Sequence, residues 1–357
     1  MTEELDLPSR ILNIFSSPVT STIRGKSGFY PSDASVVRED GDITGSCLRQ
    51  QYYKWYNCAP TEESDPEIGL ISVTGEALHL MIASLIRDHP VETGLLLLRE
   101  EQSFFDKELL LSGRIDLLLY DQINDSVVGC DIKTVGDYAS SVSIDQPRLK
   151  DVLQCTIYLD QYQKNSPKGE KMNSWIILYL ARSENWKLKK YPHGSPFKYL
   201  WQFSISFDSE DRHIIIENQF GAQTHYYDIT PEIIYSRYTE LRKYIKDGEL
   251  PPRDYEHTYS EERILGMYKK GKIKFKKDLT VIEKWAKGGL EEGKLGLDMG
   301  DFECRYCQFK SLCWSDTPDN ITPNKKYLYQ LSNKSKLIIP SEPTTTSSPA
   351  TDDSDYI

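Results

Sequence analysis

The sequence predicts a mixed α/β fold, because segments with the two-residue periodicity of strands alternate with segments of helical periodicity. Two strands are expected at residues 108–120 and 127–134, and the polar turn between them predicts a hairpin. A helix at 75–86 precedes this hairpin and a helix at 148–163 follows it. An apolar run at 174–182 then predicts a buried strand.

The second half of the chain adds further elements. Residues 201–207 and 213–220 are expected to form another antiparallel pair. Thr230 is a good helix cap, Pro231 suits the first helical position and Gly248 suits the end, so a helix is predicted between them. Near the N-terminus, Thr44 or Ser46 is expected to cap a helix that ends at Trp55. Residues 1–43 look irregular, and 333–357 have the composition of a disordered tail.

Composition is that of a globular protein. The 357 residues are 39% hydrophobic and 27% charged, and no apolar run approaches the roughly 20 residues that span a bilayer. Acidic residues at positions 3, 4 and 6 argue against a signal peptide, so we expect a cytoplasmic protein without a membrane partner. The net charge of −11 disfavours a general nucleic-acid binder but leaves room for a local nucleic-acid groove. Residues 266–277 contain six lysines and two aromatic residues, which suits either phosphate contacts or a solvated edge.

The chemistry-bearing residues lie on the predicted hairpin. Asp116 is on the first strand and Asp131 on the second, followed two residues later by Lys133. Side chains two apart on a strand share a face, so Asp131 and Lys133 are expected to lie together. Adjacent carboxylates repel unless a cation separates them, and Mg²⁺ or Mn²⁺ suits oxygen ligands that include the Ile132 carbonyl. This arrangement favours phosphodiester hydrolysis, and a structural salt bridge is the alternative.

Three polar residues on predicted helices are candidates for the same site. His79 can complete the metal site as a neutral imidazole, although a single helical histidine is often just a partly buried polar residue. Gln154 and Tyr158 are four apart and therefore share a helix face, from which both can reach a phosphate or a base. A pair at this spacing also occurs by chance.

Three cysteines cluster towards the C-terminus: Cys304, Cys307 and Cys313. A fourth ligand must come from far upstream, where Cys47 and Cys58 are available. Three clustered thiolates with a distant fourth are more typical of irregular iron–sulfur ligation than of a zinc ribbon, and zinc remains the alternative. Cys130 and Cys155 lie in apolar segments and are expected in the core.

Taken in order, these motifs resemble the PD-(D/E)XK nuclease superfamily, specifically its RecB-like iron–sulfur branch. That branch includes CRISPR-associated RecB-like exonucleases and the nuclease module of AddB-type recombination proteins. The matching motifs are Ser46-Cys47-Leu48-Arg49 with Tyr52, GxxxH at 75–79, GRID at 113–116, DIK at 131–133, Gln154 with Tyr158, and CxxCx5C at 304–313.

The resemblance implies a central mixed β-sheet flanked by helices, with N- and C-terminal segments joined by an iron–sulfur cluster. It implies that Lys133 is the catalytic lysine and that Gln154 and Tyr158 contact DNA. The implied ligands of Mg²⁺ or Mn²⁺ are His79, Asp116, Asp131 and the Ile132 carbonyl. The implied ligands of a [4Fe–4S] cluster are Cys47, Cys304, Cys307 and Cys313.

The expected function is that of a metal-dependent exonuclease acting on single-stranded DNA or DNA ends, in DNA repair, recombination or CRISPR-type processing with protein partners. The alternative is a non-catalytic DNA-end-binding or assembly subunit with a structural cluster. The expected nuclease core is 44–186 and the cysteine segment is 296–320. Residues 187–295 exceed what a minimal RecB-like domain needs and are expected to be an accessory insertion. Leu48 also departs from the proline often found there in the family.

Overall fold

The structure is a computed structural model that describes residues 28–314 apart from 57, 63–65, 167–171, 183–198, 274, 287–296 and 298. The expectations for the tail at 333–357 therefore lie outside the described residues. The strands are β1 Ser35–Val37, β2 Ile43–Gly45, β3 Leu95–Asp106, β4 Leu111–Asp121, β5 Ser126–Val135, β6 Ser174–Ala181, β7 Leu200–Phe207, β8 Ile214–Asn218 and β9 Gln223–Tyr226. The helices are α1 Leu48–Trp55, α2 Pro66–Asp88, α3 Pro90–Thr93, α4 Asp137–Ser143, α5 Leu149–Asn165, α6 Pro231–Asp247, α7 Glu261–Lys269, α8 Lys276–Ala286, α9 Phe302–Arg305 and α10 Lys310–Cys313.

Strands β3 to β9 form one seven-stranded sheet whose neighbours follow chain order, and β1 pairs with β2 separately. Only β5 and β6 are parallel among the described neighbours of this sheet. A parallel pair needs a crossover connection, which α4 and α5 provide. The expected central mixed sheet flanked by helices is therefore confirmed.

The predicted hairpin is confirmed as β4 and β5, which pair antiparallel. Its turn forms because the Asp121 carboxylate accepts hydrogen bonds from the backbone N–H groups of Ile123 and Asn124, at 2.9 and 3.2 Å. This is the usual way in which an aspartate fixes a polar turn. The hairpin carries Asp116 on one strand and Asp131 on the other.

Helix α5 packs on the sheet face to which Asp131 points. Its apolar stripe is buried as predicted, with Val152, Leu153 and Ile157 inaccessible to solvent. Cys155, on the same helix, and Cys130, on β5, are also buried, as expected for small core residues. The sequence places the start of this helix within one residue and its end within two.

Helix α2 covers the opposite face and is longer than the predicted 75–86 segment. Ala83 and Ile86 pack on Leu117, Leu119, Cys130 and Ile132 of the hairpin strands. One part of α2, Leu70–Asp88, is long and apolar enough to cross a membrane by length and composition alone. The expectation that no segment reaches this length is therefore wrong. Only 17% of this stretch is buried, and Leu70, Leu80 and Leu85 are exposed.

The predicted helix after Thr230 is confirmed as α6. Thr230 Oγ1 accepts a hydrogen bond from the Ile233 N–H at 3.3 Å, and Gly248 ends the helix with a φ of 70°. Helix α1 ends at Trp55 as predicted, but neither Thr44 nor Ser46 caps it. It begins after Cys47, and the Leu48 N–H is bound by the Asp254 carboxylate at 2.6 Å.

The second predicted strand pair is confirmed as β7 and β8, which are antiparallel. β3 and β9, at the two edges of the sheet, were not expected. The lysine-rich residues 266–277 include the end of α7 and the start of α8. Lys272, in the turn after α7, pairs with Asp42 at 2.7 Å.

Candidate active site

The predicted acids lie where two strands separate. The pairing of β4 with β5 ends at the pair Leu117 and Cys130. Asp116 and Asp131 are the next residues beyond this last pair, one on each strand. Beyond that point the Ile132 N–H donates a hydrogen bond of 2.9 Å to Asp116 Oδ2. The gap between the strands lets groups from both faces of the sheet approach the acids.

His79 approaches from α2. Its Nδ1 atom lies 3.6 Å from Asp116 Oδ2, and it also hydrogen-bonds the Ile132 backbone. Burial lowers the pKa of His79, against the field of Asp131, which raises it. The imidazole is therefore biased towards its neutral form, which is the form that binds metal ions.

Lys133 and Asp131 lie together on the face covered by α5. Lys133 Nζ is 2.6 Å from Asp131 Oδ2 and donates a hydrogen bond of 2.9 Å to Gln154 Oε1. The Gln154 amide in turn contacts Asp131 Oδ1 at 3.4 Å and the Tyr158 hydroxyl at 3.1 Å. Gln154 and Tyr158 therefore share a helix face as predicted. Gln154 contacts the Asp131–Lys133 pair directly, and Tyr158 contacts Gln154.

Burial shifts the pKa values of the two acids and of Lys133. The Asp131 side chain is 1% exposed, and burial, assisted by the nearby Asp116, raises its pKa to about 6 although Lys133 opposes the shift. Burial also raises the pKa of Asp116. For Lys133, burial alone would lower the pKa, but the Asp131 carboxylate outweighs it and raises the pKa well above the usual range. A further positive charge would stabilise both acids in ionised form.

A cavity of about 500 Å³ opens beside these acids, between α2 and the hairpin. Its charged and polar lining includes His79, Asp116, Glu76, Glu100, Glu101 and Arg114. Glu101 lies at an irregular point of β3 with a φ of 47° and pairs with Arg114 at 3.2 Å. Sequence reasoning missed Glu100 and Glu101, because β3 was not recognised as a strand beside β4. Glu76 and Arg114 lie within the GxxxH and GRID motifs but were given no role in the site.

The sequence matches the PD-(D/E)XK nuclease superfamily over residues 56–314, which is more than half of the chain. The chain belongs to this superfamily. Members are typically metal-dependent nucleases, so the chain is placed among such hydrolases, with DNA as the implied substrate. The matched region includes the three clustered cysteines and begins after Cys47. No curated protein shows significant sequence similarity to the chain.

The side chains present fit the divalent metal that PD-(D/E)XK nucleases use. Two carboxylates, an imidazole and the Ile132 carbonyl form a donor set suited to Mg²⁺ or Mn²⁺. Asp131 Oδ2 is buried and lacks a hydrogen bond among the described residues, although the Lys133 ammonium lies beside it. The ligand atoms of His79, Asp116 and Asp131 do not form a described group within 4.8 Å of one another.

The four predicted cluster cysteines line one small cavity of about 20 Å³. Cys47 comes from the start of α1, and Cys304, Cys307 and Cys313 come from the C-terminal helices and the turn between them. Cys58, the other candidate for the fourth ligand, does not line this cavity. Burial, with the nearby Asp254, raises the pKa of Cys47 to about 12, and burial raises that of Cys304 to about 11.

A second group of possible metal ligands lies between β7 and β8. Single ligand atoms of Asp208, Asp211 and His213 fall within 4.8 Å of one another. Each carboxylate already accepts a backbone N–H of the turn, from Glu210 at 2.8 Å and from His213 at 3.0 Å. Sequence reasoning missed this group, which a D-x-x-D-x-H pattern between two strands could have signalled. The turn hydrogen bonds already account for both aspartates.

Proposed function

We propose that this PD-(D/E)XK protein is a DNA exonuclease that hydrolyses phosphodiester bonds of single-stranded DNA or DNA ends. The observation that carries the proposal is the contact between Asp131 and Lys133, held by Gln154 where β4 and β5 separate. A buried acid–lysine pair next to a second acid and an imidazole suits hydrolysis of a charged ester better than it suits a purely structural role.

In this proposal His79, Asp116, Asp131 and the Ile132 carbonyl hold Mg²⁺ or Mn²⁺. When bound, the cation supplies positive charge against the phosphate and acidifies the attacking water. The protein holds these metal-ligand atoms in position. Asp116 is oriented by the Ile132 N–H, and the cavity beside His79 gives the phosphate access to the acids.

Lys133 is the proposed catalytic lysine. Its pKa is raised by Asp131, so it stays protonated and can donate hydrogen bonds to the attacking water or to a phosphate oxygen. Gln154 Oε1 accepts a hydrogen bond from Lys133 Nζ and thereby sets the direction of the ammonium group. We propose that Gln154 and Tyr158 act mainly by this positioning, since Tyr158 is buried, and their direct contact with DNA stays a prediction.

We further propose a [4Fe–4S] cluster at the four cysteines. The arrangement of three clustered cysteines with a distant fourth supports this proposal, since zinc ribbons more often use two short cysteine pairs. A cluster here would join α1 to the C-terminal helices across the length of the nuclease core, so metal binding would contribute to folding.

The test uses end-labelled single- and double-stranded DNA and a circular single strand, each with Mg²⁺ or Mn²⁺. Wild type should degrade the linear substrates from their ends and leave the circle intact. Lys133→Ala should lower the rate by about 10²- to 10⁴-fold. Lys243→Ala, which removes an exposed lysine of α6, should have no effect. Cleavage of the circle would contradict the exonuclease assignment. Binding of ends without cleavage by wild type would favour the non-catalytic alternative.

A further inference from the structure

Lys150 is a cation near the proposed catalytic lysine, Lys133. None of the nuclease motifs gives Lys150 a role. It lies four residues before Gln154 and eight before Tyr158, so the three share one face of α5. Four residues of helix, about 6 Å of rise, separate Lys150 from Gln154, which hydrogen-bonds Lys133. Unlike Tyr158, Lys150 is exposed to solvent.

Lys150 lies in the field of two acids, Asp151 and Glu303, but is ion-paired with neither. Among the described residues it forms no ion pair within 4.0 Å, and the nearest acid on α5, Asp151, is occupied by Arg148 at 2.7 Å and by the Tyr179 hydroxyl at 2.7 Å. Desolvation of the ammonium group, although the residue as a whole is exposed, lowers the pKa of Lys150, as does repulsion from Arg148, while attraction to Asp151 and Glu303 opposes the shift. Of the three cations near this end of the helix, Arg148 and Lys133 are paired with Asp151 and Asp131, and Lys150 is the one without an ion pair among the described residues.

The position of this cation group follows from the topology. Strands β5 and β6 are parallel, and α5 begins near their carboxyl ends, where Arg148 N–H binds the Tyr179 hydroxyl of β6 at 3.0 Å. Ligands of open α/β sheets bind outside the carboxyl ends of parallel strands.

We propose that Lys150 binds a backbone phosphate of the nucleic-acid strand, one phosphate removed from the one that is cut. The inference rests on the proposed nuclease function and adds a binding site to it. A lysine that contacts a phosphate contributes to affinity without reading sequence, and its loss lowers the dependence of binding on salt. Lys150 therefore acts in holding the strand, and Lys133 acts in cutting it.

The test measures binding and cleavage separately. Binding of a fluorescein-labelled oligo(dT) is followed by anisotropy over a range of NaCl concentrations, in the cleavage-deficient Asp131→Asn background. Adding Lys150→Ala should weaken binding about five- to tenfold at low salt and reduce the slope of log K against log salt by about 0.7. Lys150→Arg should retain affinity and slope. Lys243→Ala, which removes a charge from the exposed surface of α6, should change neither.

In the otherwise wild-type enzyme, Lys150→Ala should raise KM and leave kcat within about twofold. An unchanged salt slope, or an equal loss in Lys243→Ala, would overturn the assignment while leaving the nuclease intact. A chain that neither binds nor cuts DNA would overturn the proposed function and this site together. Circular dichroism of each variant separates loss of binding from loss of fold.

Discussion

Asp254 accepts a hydrogen bond from the backbone N–H of Leu48 at 2.6 Å, although 206 residues separate the two. This carboxylate replaces the side-chain cap that the sequence of α1 lacks, since Cys47 occupies the cap position without capping. Cys47 is also one of the four cavity cysteines. The bond therefore connects the start of α1, and with it the cysteine cavity, to the segment that follows α6.

Asp254→Ala should destabilise the protein by about 3–5 kcal/mol, because the first turn of α1 loses its cap and the buried Arg237 guanidinium loses the carboxylate that lies 2.9 Å away. It should also reduce the iron content of purified protein, because Cys47 is less firmly placed. Thermal unfolding and iron analysis check the two effects. Asp247→Ala, which removes an exposed carboxylate at the end of α6, is the control and should leave both unchanged. Equal behaviour of the two variants would contradict the capping role.

Replacing one of the four cysteines that line the cavity should remove the proposed iron–sulfur cluster, whereas replacing Cys58 should not. Cys313→Ser should give colourless protein with a lower unfolding temperature, because a structural metal centre contributes to folding. Cys58→Ser should stay coloured, because Cys58 does not line the cavity. Absorbance spectra and iron and zinc analysis of both variants check this. A zinc-loaded, fully active wild type would refute the cluster and leave the cysteine site standing.

Gln154→Ala should lower the cleavage rate by about 10- to 100-fold with little change in DNA affinity, because the amide positions Lys133 and Asp131. Tyr158→Phe removes only the hydroxyl that receives the Gln154 amide and should have a smaller effect. Single-turnover rates and anisotropy measure the two quantities. Weaker DNA binding with an unchanged single-turnover rate would instead indicate direct DNA contact by Gln154.

The metal-free protein should lose stability as pH rises from about 4 to about 6, through the Asp131 carboxyl. Its folded pKa is raised to about 6, so in this range the folded state binds more protons than the unfolded state, and the slope of stability against pH is negative. The difference in unfolding temperature between wild type and Asp131→Asn, measured in EDTA, isolates this effect from other acids. A difference independent of pH would contradict the raised pKa.

Local patterns predict much of this fold. The β4–β5 hairpin, α5 and α6 were predictable because each has a regular apolar period bounded by turn or cap residues. β3 was not, because it begins with four consecutive leucines and then alternates only half-buried and exposed residues, as an edge strand paired on one side can. The helix start at Leu48 was misplaced because its cap comes from a residue distant in sequence.

The candidate site also has one part that local sequence patterns predict and another that depends on contacts between distant segments. The Asp131–Lys133 spacing is local, and the strand period alone brings the two side chains together. The choice between Cys47 and Cys58 depends on how α1 lies against the C-terminal helices, which no local pattern specifies. Two glutamates of the cavity, Glu100 and Glu101, lie on β3, and recognising that strand would have placed Glu101 near Asp116.

The separation of β4 from β5 just before the two acids has a practical consequence. Since the pairing of β4 with β5 stops short of Asp131, replacing its carboxylate by an amide should leave the backbone pairing of the hairpin unchanged. The Asp131→Asn variant should therefore be a folded but inactive protein, which binds an uncut strand long enough for crosslinking or co-crystallisation.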